Sequence, residues 1–279
     1  MDRTPDRTPD RTPDRTPVRS GYLDEAGTRL YFEVHGSGAP LLLIHGAFGS
    51  GQQFAGALAE LVAKHMVILV DLQGHGRTAD RQEPLTYERL ADDCAAVLTH
   101  LGVSQAAVLG YSMGGGTALQ LAFRHPQLLR RLMVVSAPFS HEGWHPDVMA
   151  NFRNTGSHQA PEVLDSFIYH DHAALAPKPE EFPVLLDKLG ALLGGHEYDW
   201  SARVAALEVP LFVALGDTDS LSPAHAAELF AHVGGGARDA GMAGEGITSS
   251  RLAVLPGTTH YDILASAALW SFVAAFLEE

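Results

Sequence analysis

A serine, an acid and a histidine follow apolar runs in this sequence, in that order along the chain. The serine is Ser112, in Gly110-Tyr111-Ser112-Met113-Gly114, between an apolar run at 106–110 and a helical pattern at 113–125. A Gly-x-Ser-x-Gly match in that setting predicts a sharp strand-to-helix turn whose strained serine needs small flanking residues. Gly114, Gly115 and Gly116 allow close backbone approach, and the helix start aims positive dipole where an oxyanion would form. A serine hydroxyl is a weak nucleophile until a base takes its proton. His260, between the last apolar run and the last helical pattern, is the candidate among 15 histidines, chosen by position. The base needs an acid to fix its tautomer and stabilise the imidazolium. Asp217 and Asp219 both follow the run 211–215; Asp219 lies further into the loop, with Pro223 opening the next helix, and is preferred, with Asp217 as the alternative.

Other groupings suggest different chemistry and carry less. His141-Glu142-Gly143-Trp144-His145 fits the His-Glu-x-x-His zinc pattern. That pattern works on a helix, and Gly143 inside it with Pro146 after it disfavours one. In His170-Asp171-His172 the histidines are two apart and do not share a helix face, so a solvated polar segment is expected. The single cysteine, Cys94, sits in a helical pattern and reads as a small apolar residue; with one cysteine no internal disulfide can form.

The elements that must position these residues alternate. Runs at 41–44, 66–70, 106–110 and 132–136 are continuous and apolar, as in strands buried on both faces. Helical patterns at 54–62, 87–101 and 113–125 separate them, and residues 28–34 form one arm of an opening hairpin. From 138 to about 203 the strand signals stop, and two amphipathic helical patterns stand out, one around Val163, Leu164, Phe167 and Ile168, the other Leu185 to Leu193. The alternation resumes with a strand at 211–215, a helix at 223–233, a strand at 252–255 and a closing helix; residues 234–250 form a Gly-rich exposed loop. Repeated strand–helix units predict a mostly parallel sheet covered on both faces, with its ligand at the carboxyl ends of the strands.

Residues 2–17 are four copies of Asp-Arg-Thr-Pro. Proline every fourth position and no large apolar residue make 1–20 a disordered tail. The 279 residues are 46% hydrophobic and 19% charged, enough to bury a sizeable core. A net charge of −14 argues against nucleic acid or an anionic membrane as partner. The absence of a long apolar run or a signal-like start makes a cytoplasmic location the expectation.

Taken together, His45-Gly46-Ala47-Phe48-Gly49-Ser50, Asp71-Leu72-Gln73-Gly74-His75-Gly76, Gly110-Tyr111-Ser112-Met113-Gly114-Gly115, Gly216-Asp217-Thr218-Asp219 with Pro223, and Pro256-Gly257-Thr258-Thr259-His260 resemble the α/β-hydrolase superfamily over nearly all of 21–279. The resemblance implies an α/β-hydrolase core at 21–138 and 204–279, with a helical cap at 139–203. It implies Ser112 as nucleophile, Asp219 as acid and His260 as base, with the backbone N–H groups of Ala47 and Met113 as the oxyanion hole. Asp71, Gly74 and Gly76 read as structural. Phe48, Trp144, Phe152 and Phe167 are the candidate substrate-pocket residues, with Trp200 a further cap aromatic to line an acyl or alcohol pocket; the alternative is that the cap aromatics form the cap's own small core. The activity expected is hydrolysis of small to medium carboxylic esters through an acyl-enzyme, with a small-molecule ester as partner and no cofactor or metal. A thioesterase, lactonase, carbon–carbon bond hydrolase or cofactor-free perhydrolase would use the same triad. A haloalkane dehalogenase is disfavoured because its relatives carry aspartate at the Ser112 position. A non-catalytic ligand receptor on the same fold is the alternative from another class. Oligomeric state is not legible.

Overall fold

The computed structural model of the chain describes residues 16–195 and 197–279, so the repeats at 2–15, and the disorder expected of them, lie outside the described residues. The strands are β1 (Arg19–Glu25), β2 (Thr28–His35), β3 (Ala39–Ile44), β4 (His65–Val70), β5 (Ala106–Tyr111), β6 (Leu129–Val135), β7 (Leu211–Thr218) and β8 (Arg251–Thr259). They form one sheet in the order β1-β2-β4-β3-β5-β6-β7-β8. β2 pairs antiparallel with β1 and β4, and every other pairing is parallel.

The continuous apolar runs become strands because they have a core on each side. Leu42 and Ile44 of β3 face one hydrophobic cluster while Leu41 and Leu43 face the other; Ile68 and Val70 of β4 alternate with Val67 and Leu69 in the same way. The helices of the core are α1 (Ala55–Leu61), α2 (Tyr87–His100) and α3 (Met113–Arg124). α2 and α3 cover the first face, with α2 capped by the Thr86 hydroxyl, which accepts from Arg89 N–H. α1 packs on the second.

Between β6 and β7 lie α4 (Pro146–Asn154), α5 (Ala160–Val163), α6 (Phe167–Leu175), α7 (Phe182–Gly194) and α8 (Ser201–Ala205). The Leu185–Leu193 pattern is α7, whose Leu185, Leu186, Leu189, Leu192 and Leu193 are all buried. The earlier pattern is not one helix. α5 stops at Val163, and the Ser166 hydroxyl caps a new helix by accepting from Tyr169 N–H, which leaves Leu164 and Phe167 exposed. The chain closes with α9 (Pro223–His232) and α10 (Ala267–Glu278), the latter on the second face. Residues 234–250 hold neither helix nor strand and expose Met242 and Ile247.

Two boundaries differ from expectation. Pairing reaches back to Arg19, inside the stretch 1–20 expected to be tail, because Arg19 pairs with Val34 and its guanidinium lies over the Phe32 ring. β7 runs on to Thr218, so Asp217 belongs to the strand rather than to the loop after it. Among the described residues, no helix is long and apolar enough to cross a membrane.

Candidate active site

β5 delivers the serine. Tyr111 ends the strand, Met113 starts α3, and Ser112 between them has φ 54° and ψ −119°, a left-handed conformation that costs a non-glycine residue about 1–3 kcal/mol. The turn closes only because its neighbours lack side chains. A Cβ on Gly110 would stand 2.0 Å from the Gly114 carbonyl oxygen, and one on Gly114 would stand 2.2 Å from that of Ile44. Gly115 and Gly116 return their N–H groups to the Ser112 carbonyl. Met113, in the first helical position, has no intrahelical acceptor for its own N–H.

β7 and β8 deliver the partners. Ser112 Oγ lies 3.0 Å from His260 Nε2, and His260 Nδ1 lies 2.8 Å from Asp219 Oδ1. The carboxylate accepts at Nδ1, so Nε2 carries the lone pair that receives the serine proton. Burial pushes the Asp219 carboxyl upward, but the His260 hydrogen bond and charge, then the Ser136 hydroxyl and Gly216 N–H, outweigh it and hold it below the usual value. Asp217 does something else: its Oδ1 accepts from Gly257 N–H at 2.9 Å, tying β7 to β8. The His260 ring is held between Tyr111 and Trp144, with centroids at 5.3 and 5.8 Å, and the Tyr111 hydroxyl donates to the His260 carbonyl at 2.6 Å.

The loop after β3 brings Ala47 and Phe48 to the serine. His45 is wholly buried; its Nε2 accepts from Leu72 N–H at 3.0 Å and its Nδ1–H donates to the Gly46 carbonyl at 2.7 Å. Burial pulls its pKa down to about 4, keeping it neutral. Gly46 N–H donates to Gln53 Oε1, and Asp71 accepts from Gly51 N–H and Arg77, so the loop is fastened at both ends. Phe48 takes φ 61° at its tip.

A cavity of about 600 Å³ opens over Ser112 and His260. Ala47, Phe48, Phe152 and Phe167 are in its wall, together with Tyr111, Ile168, His172, Leu193 and Tyr261. Phe167 and Tyr261 stand at its mouth, 75% and 87% exposed. Two expected wall residues lie elsewhere. Trp144 sits behind His260, edge-on to Phe152 at 5.3 Å, because its backbone bridges to Leu221. Trp200 stacks on Tyr198 at 4.3 Å in the core. His172, in the segment expected to be solvated, is buried against Phe182. The zinc-like segment is a three-residue 3-10 turn followed by extended backbone at Trp144 and His145, so its histidines do not share a helix face.

The sequence assigns no role to Ser136, Tyr111 or Tyr261, and it places His172 in a solvated segment rather than in the cavity wall. Tyr111 occupies the variable position of Gly-x-Ser-x-Gly and Ser136 ends an apolar run; those positions were the available signal.

An eight-stranded, mostly parallel sheet with helices on both faces and a serine elbow after β5 is the α/β-hydrolase fold. The family model described as α/β hydrolase fold matches residues 39–172, from β3 to α6. A protein of Azorhizobium caulinodans named "Putative carbamate hydrolase RutD" is 27% identical over 245 residues, 83% of this chain and 88% of that protein. One of Haemophilus influenzae named "Putative esterase/lipase" is 37% identical over 111 residues, 39% of this chain and only 38% of that protein. The solved enol-lactonase of Burkholderia xenovorans superposes with a TM-score of 0.68 at 24% identity, covering 93% of this chain and all of that one. The chain has the α/β-hydrolase fold, and the matched family model with these two named relatives supports its membership of the α/β-hydrolase superfamily.

Proposed function

We propose that the protein is a serine hydrolase that cleaves carboxylic esters of small to medium acyl chain through an acyl-enzyme on Ser112. The observation that carries this reading is the continuous hydrogen-bonded line from Ser112 through His260 to Asp219 beside the cavity. Ser112 Oγ attacks the ester carbonyl carbon while His260 Nε2 takes its proton. The negative oxygen of the tetrahedral intermediate is held by the N–H groups of Ala47 and Met113, each worth about 3–4 kcal/mol in such a role. On collapse the C–O bond breaks, and His260 returns the proton to the departing alcohol. Water, deprotonated by His260, then attacks the acyl-enzyme and frees the acid and Ser112. No step calls on a cofactor or metal. The β6–β7 insertion acts as a cap, with Phe152 and Phe167 contributing to the acyl site. The substrate is a small molecule and the working location the cytoplasm.

Cleavage of a carbamate is the second reading, favoured by similarity to the Azorhizobium protein along most of both chains. The same oxygen would attack the carbamate carbonyl and expel the same alcohol, leaving a carbamoyl-enzyme in place of the acyl-enzyme for water to clear.

The test is turnover of p-nitrophenyl esters from acetate to dodecanoate, and of matched aryl carbamates, by wild type and Ser112→Ala. Ester turnover that vanishes in the variant is the expected result. Preference for the carbamates selects the second reading, and turnover that survives Ser112→Ala refutes both.

A further inference from the structure

Ser136 takes a backbone conformation it would not choose. It follows β6 directly, is 1% exposed, and has φ 52°, a region that favours glycine. Its strand neighbours explain its height in the sheet. Tyr111 pairs with Val135, and Val135 with Ala214, so Ser136 stands one step past β6 as Ser112 stands one step past β5. Ser112 N–H donates to the Val135 carbonyl at 2.9 Å, and Ser136 N–H donates to the Ala214 carbonyl at 2.8 Å. Two strained serines thus lie side by side at the carboxyl end of the sheet. The first faces His260. The second donates its hydroxyl to Asp219 Oδ2 at 2.6 Å.

Among the described residues, four donors reach the carboxylate of Asp219. His260 Nδ1 at 2.8 Å and Ser220 N–H at 2.7 Å serve Oδ1; Ser136 Oγ at 2.6 Å and Gly216 N–H at 3.1 Å serve Oδ2. Gly216, in β7, and Ser220 lie within three residues of Asp219 on its own stretch of chain. His260 is the group to be oriented. Ser136 is therefore the donor that refers the carboxylate plane to a different strand of the rigid sheet. Glycine at 136 would relieve the backbone but supply no such donor, and an outlier kept where relief is simple points to a use for the side chain.

We propose that Ser136 is a positioning residue: it locks the rotation of the Asp219 carboxylate so that Oδ1 stays aligned on His260 Nδ1. This rests on the serine-hydrolase reading above. A carboxylate free to pivot lets the imidazole drift from Ser112, and a misplacement of about 1 Å costs on the order of a hundredfold in rate.

Ser136→Gly separates the side chain's work from the backbone's, because glycine accepts φ 52° without strain. The experiment compares wild type, Ser112→Ala, Ser136→Gly and Ser136→Asn. It measures kcat and KM on p-nitrophenyl butyrate, the rate of covalent labelling by a fluorophosphonate, and Tm. Ser136→Gly should lose at least tenfold in both kcat and labelling rate, with KM within twofold and Tm within a few degrees of wild type. Asparagine tolerates positive φ and carries an amide donor, so Ser136→Asn should recover part of the loss. Ser136→Gly with wild-type kcat and labelling overturns the proposal. So does a loss that tracks a collapse in Tm and is no better in Ser136→Asn. Labelling and turnover that survive Ser112→Ala overturn the serine-hydrolase reading itself, a result distinct from failure at Ser136.

Discussion

Acid should unfold this protein through two histidines beneath the serine rather than through its carboxylates. His45 and His75 are both buried, their rings 5.2 Å apart. Burial holds His45 at a pKa of about 4, and burial with the neighbouring His45 holds His75 at about 3. Free histidine titrates near 6.5. The unfolded chain therefore binds protons that the folded chain refuses. The stability from each neutral ring is fully present above pH 6.5 and is lost as pH falls toward 4 and 3. By pH 5 the loss is about 1.5 pH units for each histidine, about 2 kcal/mol apiece at 1.36 kcal/mol per unit. Together that is about 4 kcal/mol, against the 5–15 kcal/mol typical of whole domains. Asp93 works the other way. Burial against the Arg81 contact raises its carboxyl to about 6, so it gains a proton in the folded state over the same window and offsets about 1 kcal/mol. A His75→Phe variant isolates one contribution. Among the described residues His75 Nε2 has no hydrogen-bond partner, and the side-chain bond lost is that from Nδ1 to the Gln73 carbonyl. Urea unfolding at pH 8 and pH 5 should show the variant losing about 2 kcal/mol less than wild type between the two, at unchanged m-value. Equal losses, within about 0.5 kcal/mol, would refute the argument that burial keeps His75 neutral.

Asp219→Asn should lower kcat about a thousand- to ten-thousandfold by presenting the wrong partner to His260, whereas Asp217→Asn should leave kcat within a fewfold and cost about 1 kcal/mol of stability through the Gly257 contact; steady-state kinetics and urea unfolding of both separate the two aspartates. Gly114→Ala should destabilise by about 3 kcal/mol, because its methyl meets backbone at 2.2 Å, while Gly56→Ala in α1 meets no atom within 4 Å among the described residues beyond its chain neighbours and its own helix backbone and should stabilise by up to about 1 kcal/mol; the opposite signs are read from urea midpoints. Each methylene that a substrate chain buries adds about fourfold to kcat/KM. Replacing Phe167 and Tyr261 at the cavity mouth together by alanine should therefore lower the decanoate-to-acetate ratio at least about tenfold, and an unchanged ratio rules out contact between the rim and the chain.

What was legible in the sequence follows from what neighbouring residues decide among themselves. A run such as Leu41 to Ile44 has no polar residue to offer solvent on either face, so a strand covered twice is readable from the run itself. The glycines at 110 and 114–116 announce a tight turn for the same local reason. The preference for Asp219 over Asp217 rests on a local cue, Pro223 opening the next helix, but what occupies Asp217, the Gly257 N–H 40 residues on, depends on β8 lying beside β7. The sites that escaped are set by which strand lies beside which. Nothing in Val135-Ser136-Ala137 says that β6 runs between β5 and β7, and without that order the Ser136 hydroxyl has no reason to meet a carboxylate 83 residues away. The insertion shows the same limit in its aromatics. Trp144, Phe152 and Phe167 look alike as sequence, yet a single bridge from Trp144 to Leu221 turns the first behind His260, and the cap at Ser166 turns the third out to the cavity mouth. Side-chain type limits what chemistry a position can do, and the order of the sheet decides which of those positions meet.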